Sequence, residues 1–136
     1  MFRIKYSRET ILKLLYLVDV LPDDNDAYSS PAKLLADNAG FFKGLNNLEK
    51  NFITKVINKT MTGKKEIDQL ISENLIGWKL ERLMAVDRSL LRMGIAEADF
   101  NDQKAVVIDD VIRIAKKYGG EESYKIINAI LDKILK

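Results

Sequence analysis

Apolar side chains recur along this chain three and four residues apart, which is the spacing of one face of an α-helix. The first such stripe consists of Ile11, Leu14, Leu15 and Val18. Equivalent stripes begin at Leu45, Ile67, Leu90, Ile108 and Ile127. The β-branched run at 106–108 does not indicate a strand, because it continues directly into helical spacing. The pattern predicts an all-α fold of about seven helices.

Prolines and glycines mark the ends of the predicted helices. The stretch from Pro22 to Pro31 is acidic and polar and predicts a loop. Ser30 before Pro31 is a good N-cap followed by a good first helical position, so a short helix is expected near 31–38. Gly63 is expected to end the third helix and to join two helical subdomains, at about 1–62 and 63–136, within a single domain.

Three further local predictions concern the second half of the chain. A short helix is expected over Lys79–Ala85, with a long helix following from near Asp87. The pair Gly119–Gly120 is expected to end a helix in a left-handed conformation. Trp78, like most of the aromatic residues, is expected to lie in the core.

The composition excludes most kinds of catalysis. The 136 residues include no histidine and no cysteine, so Ser–His–Asp and Cys–His catalysis, zinc–thiolate sites and disulfides are ruled out. Neither a P-loop nor a dinucleotide-binding glycine pattern occurs. The acidic run after Pro22 fails the calcium-loop pattern in both registers. We therefore predict no catalytic residue, no metal site, no cofactor and no enzymatic activity.

The net charge is only +2, from 22 basic and 20 acidic residues, so nucleic-acid binding would need a local cluster of charge. The first 13 residues hold such a cluster: Arg3, Lys5, Arg8 and Lys13, against Glu9 alone. On a helical wheel Lys5, Arg8 and Lys13 flank the apolar stripe, and their charges are expected to be exposed. This pattern is compatible with a solvated helix face and with a phosphate-binding surface.

The sequence carries neither a signal-peptide pattern nor an apolar run of about 18 residues. A cytoplasmic location and no membrane association are therefore expected.

The most specific motif runs from Val106 to Asp132, through Ala-Lys-Lys-Tyr-Gly-Gly-Glu-Glu-Ser-Tyr-Lys and on to Asn-Ala-Ile-Leu-Asp. Upstream of it stand Trp78-x-x-x-Arg82 and Val86-Asp-Arg-Ser-Leu-Leu-Arg92, and the start of the chain carries Arg8-Glu9 and Leu15-Tyr16. Together these motifs resemble the NusB transcription antitermination family over nearly the whole chain.

The resemblance implies an all-α fold of two small packed helical bundles and a non-enzymatic factor that binds single-stranded boxA RNA. It implies binding together with NusE, a small-subunit ribosomal protein, in the RNA polymerase antitermination complex of ribosomal RNA operons. The RNA surface that it implies consists of Arg3, Lys5, Arg8, Glu122, Tyr124 and Lys125. The partner surface that it implies consists of Tyr16, Asp87 and Arg88.

Two other functions remain open at this point. One is a helical protein–protein adaptor without RNA binding, which is favoured by the interruption of the N-terminal basic residues at Ile4 and Tyr6. The other is a detached NusB-like domain of a ribosomal RNA methyltransferase. The apolar pattern does not decide whether the chain forms a homodimer, which could cover the basic patch.

Overall fold

A computed structural model describes residues 1–21 and 30–136. In chain order, the described α-helices are α1 (Ile4–Val20), α2 (Pro31–Asp37), α3 (Asn47–Thr62), α4 (Lys64–Glu73), α5 (Ala85–Ala98), α6 (Lys104–Tyr118) and α7 (Ser123–Leu135). Short 3-10 segments lie at Ala39–Phe42 and Leu80–Arg82. The described residues form seven α-helices and no strand, which confirms the all-α prediction. The predicted loop at 22–29 lies outside the described residues.

Local sequence explains where several helices begin. The Ser30 hydroxyl accepts a hydrogen bond from the Lys33 N–H at 3.2 Å, and Pro31 occupies the first position of α2. At the start of α3, Asn46 and Glu49 cap each other's backbone in a capping box. Gly63 separates α3 from α4, as its position predicts.

Three local predictions are wrong. Residues 79–84 form only a 3-10 segment between extended residues, and α5 begins already at Ala85. Gly119 has a φ of −87° rather than a left-handed one. Glycine is needed there for space, because a Cβ at Gly119 would lie 2.7 Å from the Ala115 carbonyl oxygen. Trp78 is 59% exposed, since it lies in the connection between α4 and α5 and not on a helix.

Helix α5 lies at the centre of the molecule. It packs against α1, α3, α4, α6 and α7, and its Leu90, Leu91 and Met93 are almost completely buried. Burying an apolar side chain of this size stabilises the fold by roughly 1.5–3 kcal/mol. Because α5 contacts helices from both halves of the chain, the two halves share one core. The division into two subdomains stays a prediction.

None of the helices in residues 1–21 and 30–136 combines the length and the apolar character that a membrane crossing requires.

Candidate nucleic-acid interface

Arg3, just before α1, is held against the start of α3. Its backbone N–H and its Nε both donate to Glu49 Oε2 at 2.8 Å, and its Nη2 donates to Glu49 Oε1 at 3.1 Å. The hydrogen bonds from the Arg3 side chain and from the Asn46 backbone lower the pKa of Glu49 to about 2. The Arg3 side chain is nevertheless 45% exposed, so it can be reached from solvent while its orientation is fixed.

Arg8 is buried, so the prediction that its charge is exposed is wrong. Only 1% of the residue is exposed. Its Nε and Nη2 donate to the two carboxylate oxygens of Glu97 at 2.8 and 2.5 Å, and its Nη1 donates to Asp110 Oδ2 at 3.0 Å. These three residues are called the Arg8 cluster below. The cluster ties α1 to α5 and α6, and it leaves no guanidinium donor pointing to solvent.

Arg8 belongs inside because of its register. It lies three residues before Ile11 and four before Leu12, so it occupies the buried face of α1. A buried arginine must be paired, and the carboxylates of Glu97 and Asp110 pair with it. The position of this charged residue on the apolar face of α1 was therefore the sequence signal for a buried, paired arginine.

The exposed charge of α1 lies on another row. Lys5, Glu9 and Lys13 follow one another at intervals of four residues, and both lysines are exposed. Glu9 accepts hydrogen bonds from three side chains of α6: Arg113 at 3.0 Å, Lys117 at 2.8 Å and Tyr118 at 2.9 Å. Glu9 thus joins the row on α1 to the last turns of α6.

The start of α7 adds an aromatic group and another lysine to this surface. Tyr124 packs partly against the core, with Lys116 Nζ 4.9 Å and Lys125 Nζ 5.9 Å from the centre of its ring. Glu122 pairs with Lys125 at 3.1 Å, and both side chains are exposed. Tyr124, Lys125 and Glu122 therefore lie together, as predicted, beside the end of α6.

The cations and tyrosines that lie along this row of α1, at the end of α6 and at the start of α7 are called the basic face below. It consists of Lys5, Lys13, Lys116, Lys117, Tyr118, Tyr124 and Lys125. Lysines supply charge to neutralise phosphates, and tyrosine rings offer surfaces on which unpaired bases stack. The sequence analysis missed Lys116 and Lys117, although they directly follow the last buried position of α6, at Ala115.

The residues predicted to contact a partner do not share one environment. Tyr16 is 41% exposed on α1. Arg88 is less accessible, because its Nε and Nη2 donate to Asp19 Oδ2 at 3.1 and 2.6 Å. Arg92 also binds Asp19, at 3.0 Å, and donates to both oxygens of Asp68 at 2.7 and 3.1 Å. Asp19, Asp68, Arg88 and Arg92 are called the Asp19 cluster below.

Asp87 is only 3% exposed, so the prediction that it lies on a contact surface is wrong. It lies in the first turn of α5, and its Oδ1 has no hydrogen-bond partner among the described residues. Burial raises the pKa of Asp87, although Ser123 and Arg88 oppose the rise. The side chain therefore belongs to the packing between α5 and the start of α7.

Among residues 1–21 and 30–136, no group of three or more acidic side chains is arranged to hold a metal ion.

The model of the NusB family matches residues 5–136. The chain belongs to the NusB family. It is 37% identical over 131 residues to the transcription antitermination protein NusB of Syntrophomonas wolfei, covering 95% of this chain and 92% of that protein. It is also 37% identical over 91 residues to NusB of Trichodesmium erythraeum, covering 65% of this chain and 44% of that protein. The match thus spans less than half of the Trichodesmium relative.

A solved structure supports the same assignment. A chain in the crystal structure of antitermination factors NusB and NusE in complex with dsRNA superposes with a TM-score of 0.83 at 27% identity. The superposition covers 99% of this chain and 98% of that one. The NusB fold therefore extends over the whole of this chain.

Proposed function

We propose that this NusB-family chain is a transcription antitermination factor. In this proposal it binds boxA RNA together with NusE and promotes readthrough by RNA polymerase in ribosomal RNA operons. The observation that carries the proposal is the family match over residues 5–136. The likeness to a chain from a NusB–NusE–RNA complex supports it further.

The proposed RNA surface is the basic face together with Arg3 and Glu122. A base of single-stranded RNA can stack on the Tyr124 ring while Lys125 and Lys5 neutralise phosphates. Glu122 can orient Lys125 through their ion pair. Arg8 has a different part in this proposal, because its buried ion pairs fix the position of α1 and hence of Lys5.

The proposed partner surface lies around Tyr16 and the Asp19 cluster. Tyr16 is one turn before Asp19 on α1, and Asp19 binds Arg88. An exposed tyrosine beside a partly accessible arginine pair is a composition typical of protein–protein contacts. Asp87 is buried and is not part of this proposed surface.

We further propose that the protein acts in the cytoplasm, without a cofactor and without catalysing a reaction. The lack of histidine and cysteine in the sequence is the basis for the absence of catalysis, and the proposed action on nascent RNA is the basis for the location. Purified protein should show no RNA hydrolysis or methyl transfer under multiple-turnover conditions. Activity that persists through repeated purification would contradict this part of the proposal.

The deciding experiment is a titration of labelled boxA RNA with the full chain, with and without saturating NusE. Weak binding alone and tighter binding with NusE are expected, because few phosphates can be neutralised by the exposed lysines of one face. A scrambled single strand and a duplex of the same sequence serve as matched RNA controls. If neither boxA nor the duplex binds under any of these conditions, the chain is a protein–protein adaptor.

A further inference from the structure

Glu9 lies in the middle of the basic face and receives an unusually complete set of donors. Its Oε1 accepts from Lys117 Nζ at 2.8 Å and from the Tyr118 hydroxyl at 2.9 Å, and its Oε2 accepts from Arg113 Nη1 at 3.0 Å. All three donors come from the last two turns of α6. Two cations and a hydroxyl converging on one carboxylate form a donor set that also suits a phosphate.

One nitrogen of this donor set is left without a partner. Arg113 Nη2 is buried and has no hydrogen-bond partner among the described residues, whereas Arg113 Nε donates to Asp110. A phosphodiester carries one negative charge over two oxygens, as a carboxylate does, and it has ester oxygens besides. The Lys117 side chain is 55% exposed, so the donors can be reached from solvent.

We propose that Arg113, Lys117 and Tyr118 form a phosphate-binding cluster that Glu9 fills when RNA is absent, and that a backbone phosphate of RNA replaces the Glu9 carboxylate. The inference rests on the proposed RNA binding and adds a regulation of the same surface. Glu9 holds the donors in place in the free protein and competes with RNA for them.

The displaced carboxylate has a second partner within reach. Lys13 lies one turn further along α1, and a glutamate four residues before a lysine is the favoured order for a helical ion pair. The pKa of Glu9 is about 2, because hydrogen bonds from Lys117, Arg113 and Tyr118 outweigh the opposing effect of burial. Glu9 therefore stays ionised at neutral pH and leaves the cluster by competition rather than by protonation.

The test compares Glu9→Gln with Asp109→Asn. Asp109 is exposed on α6, one turn before Arg113, and its substitution removes the same charge without freeing these donors. In a boxA titration with NusE at fixed salt, Glu9→Gln should bind at least about three-fold more tightly than Asp109→Asn. Adding Lys117→Met to Glu9→Gln should remove that gain. Urea unfolding of each variant checks that the fold is kept.

Two results would overturn the inference: Glu9→Gln binding no more tightly than Asp109→Asn, or a gain that survives Lys117→Met. A failure of the proposed function looks different, since then no variant binds RNA even with NusE. In that case an NMR titration with inorganic phosphate tests whether the cluster binds phosphate at all. Saturable shifts at Tyr118 in Glu9→Gln, absent when Lys117→Met is added, support the phosphate site, and their absence overturns it.

Discussion

The Arg8 cluster and the Asp19 cluster fasten opposite ends of α1 to α5, but in different surroundings. In the Arg8 cluster, the side chains of Arg8, Glu97 and Asp110 are 2%, 1% and 4% exposed. In the Asp19 cluster, the four side chains are 9–18% exposed. The ion pairs of the two clusters should therefore contribute differently to the free energy of unfolding, because water can solvate a broken ion pair only in the Asp19 cluster.

The two clusters also have opposite polarity. Near the start of α1, the helix supplies the cation and α5 the anion, whereas near its end Asp19 meets the cations of α5. If α1 lay the other way round, Arg8 would face arginines. The order of charges along α1 thus favours its antiparallel packing on α5, independently of the apolar stripe.

The largest effect is expected for Arg8→Met, which leaves Glu97 buried without a cation and leaves Asp110 with Arg113 alone. Removing one partner of a buried ion pair costs about 3–5 kcal/mol of unfolding free energy. Urea unfolding measures this loss. Lys13→Met on the same helix is the matched control, and it should change the free energy of unfolding by less than about 0.5 kcal/mol.

A triple variant distinguishes uncompensated charge from lost packing. Adding Glu97→Gln and Asp110→Asn to Arg8→Met removes the buried negative charges, so part of the lost stability should return. If the triple variant is less stable than Arg8→Met alone, the loss comes from packing and hydrogen bonds, and the contrast between the clusters must be explained differently.

A smaller effect is expected for Arg92→Met in the Asp19 cluster. The substitution removes hydrogen bonds to Asp19 and Asp68, but both carboxylates keep a cationic neighbour, Arg88 or Lys64. A loss of about 2 kcal/mol is expected in the same urea assay. A loss equal to that of Arg8→Met would show that the difference in exposure has no energetic consequence.

Acid should weaken the Asp19 cluster. Burial of Asp19 opposes its ionisation, but hydrogen bonds from Arg88 and Arg92 outweigh burial and lower the pKa. A lowered pKa in the folded state gives stability that is present above the unfolded value, near pH 4, and is lost as the pH falls through the folded pKa. The urea midpoint should therefore drop less between pH 6 and pH 2.5 in Asp19→Asn than in the wild type. Equal drops would contradict this assignment.

The smallest effect on stability is expected for Lys125→Met. Among the described residues its ion-pair partner is Glu122, and both side chains are exposed, so the free energy of unfolding should stay nearly unchanged. RNA affinity should fall, and the salt dependence of binding should lose about 0.7 in slope if one phosphate contact to a single strand disappears. An unchanged slope would remove Lys125 from the proposed RNA surface.

The apolar stripes and the helix-start signals were enough to predict the all-α fold and the beginning of α2. Arg8 and Glu49 lie on the same buried helix faces as these stripes, although neither residue was predicted to be buried. A helical wheel shows that such residues face inward, but it does not show which distant carboxylate or arginine meets them. Pairing between residues about 100 positions apart depends on how the helices cross.

The proposed site was also only partly predictable, because some of its contacts are local in sequence and others depend on how the helices pack. Tyr124, Lys125 and Glu122 are neighbours in sequence, so local motifs place them together. Lys117 meets Glu9 only because α1 packs beside the end of α6, and no local pattern contains that information. Gly119 was expected to adopt a left-handed backbone conformation. Glycine is instead required there because a Cβ would clash with the preceding turn.

The Arg8 cluster also affects the timing of folding. Arg8 lies 89 residues before Glu97 and 102 residues before Asp110. At about 5–20 residues per second, roughly 5–20 s of synthesis separate Arg8 from its second partner. Until α5 has been made, the first helix has neither Glu97 nor the apolar cover of α5, and Asp110 follows later still. We therefore expect α1 to be among the last parts of the nascent chain to become protected from exchange and proteolysis, although it is the first helix to be synthesised.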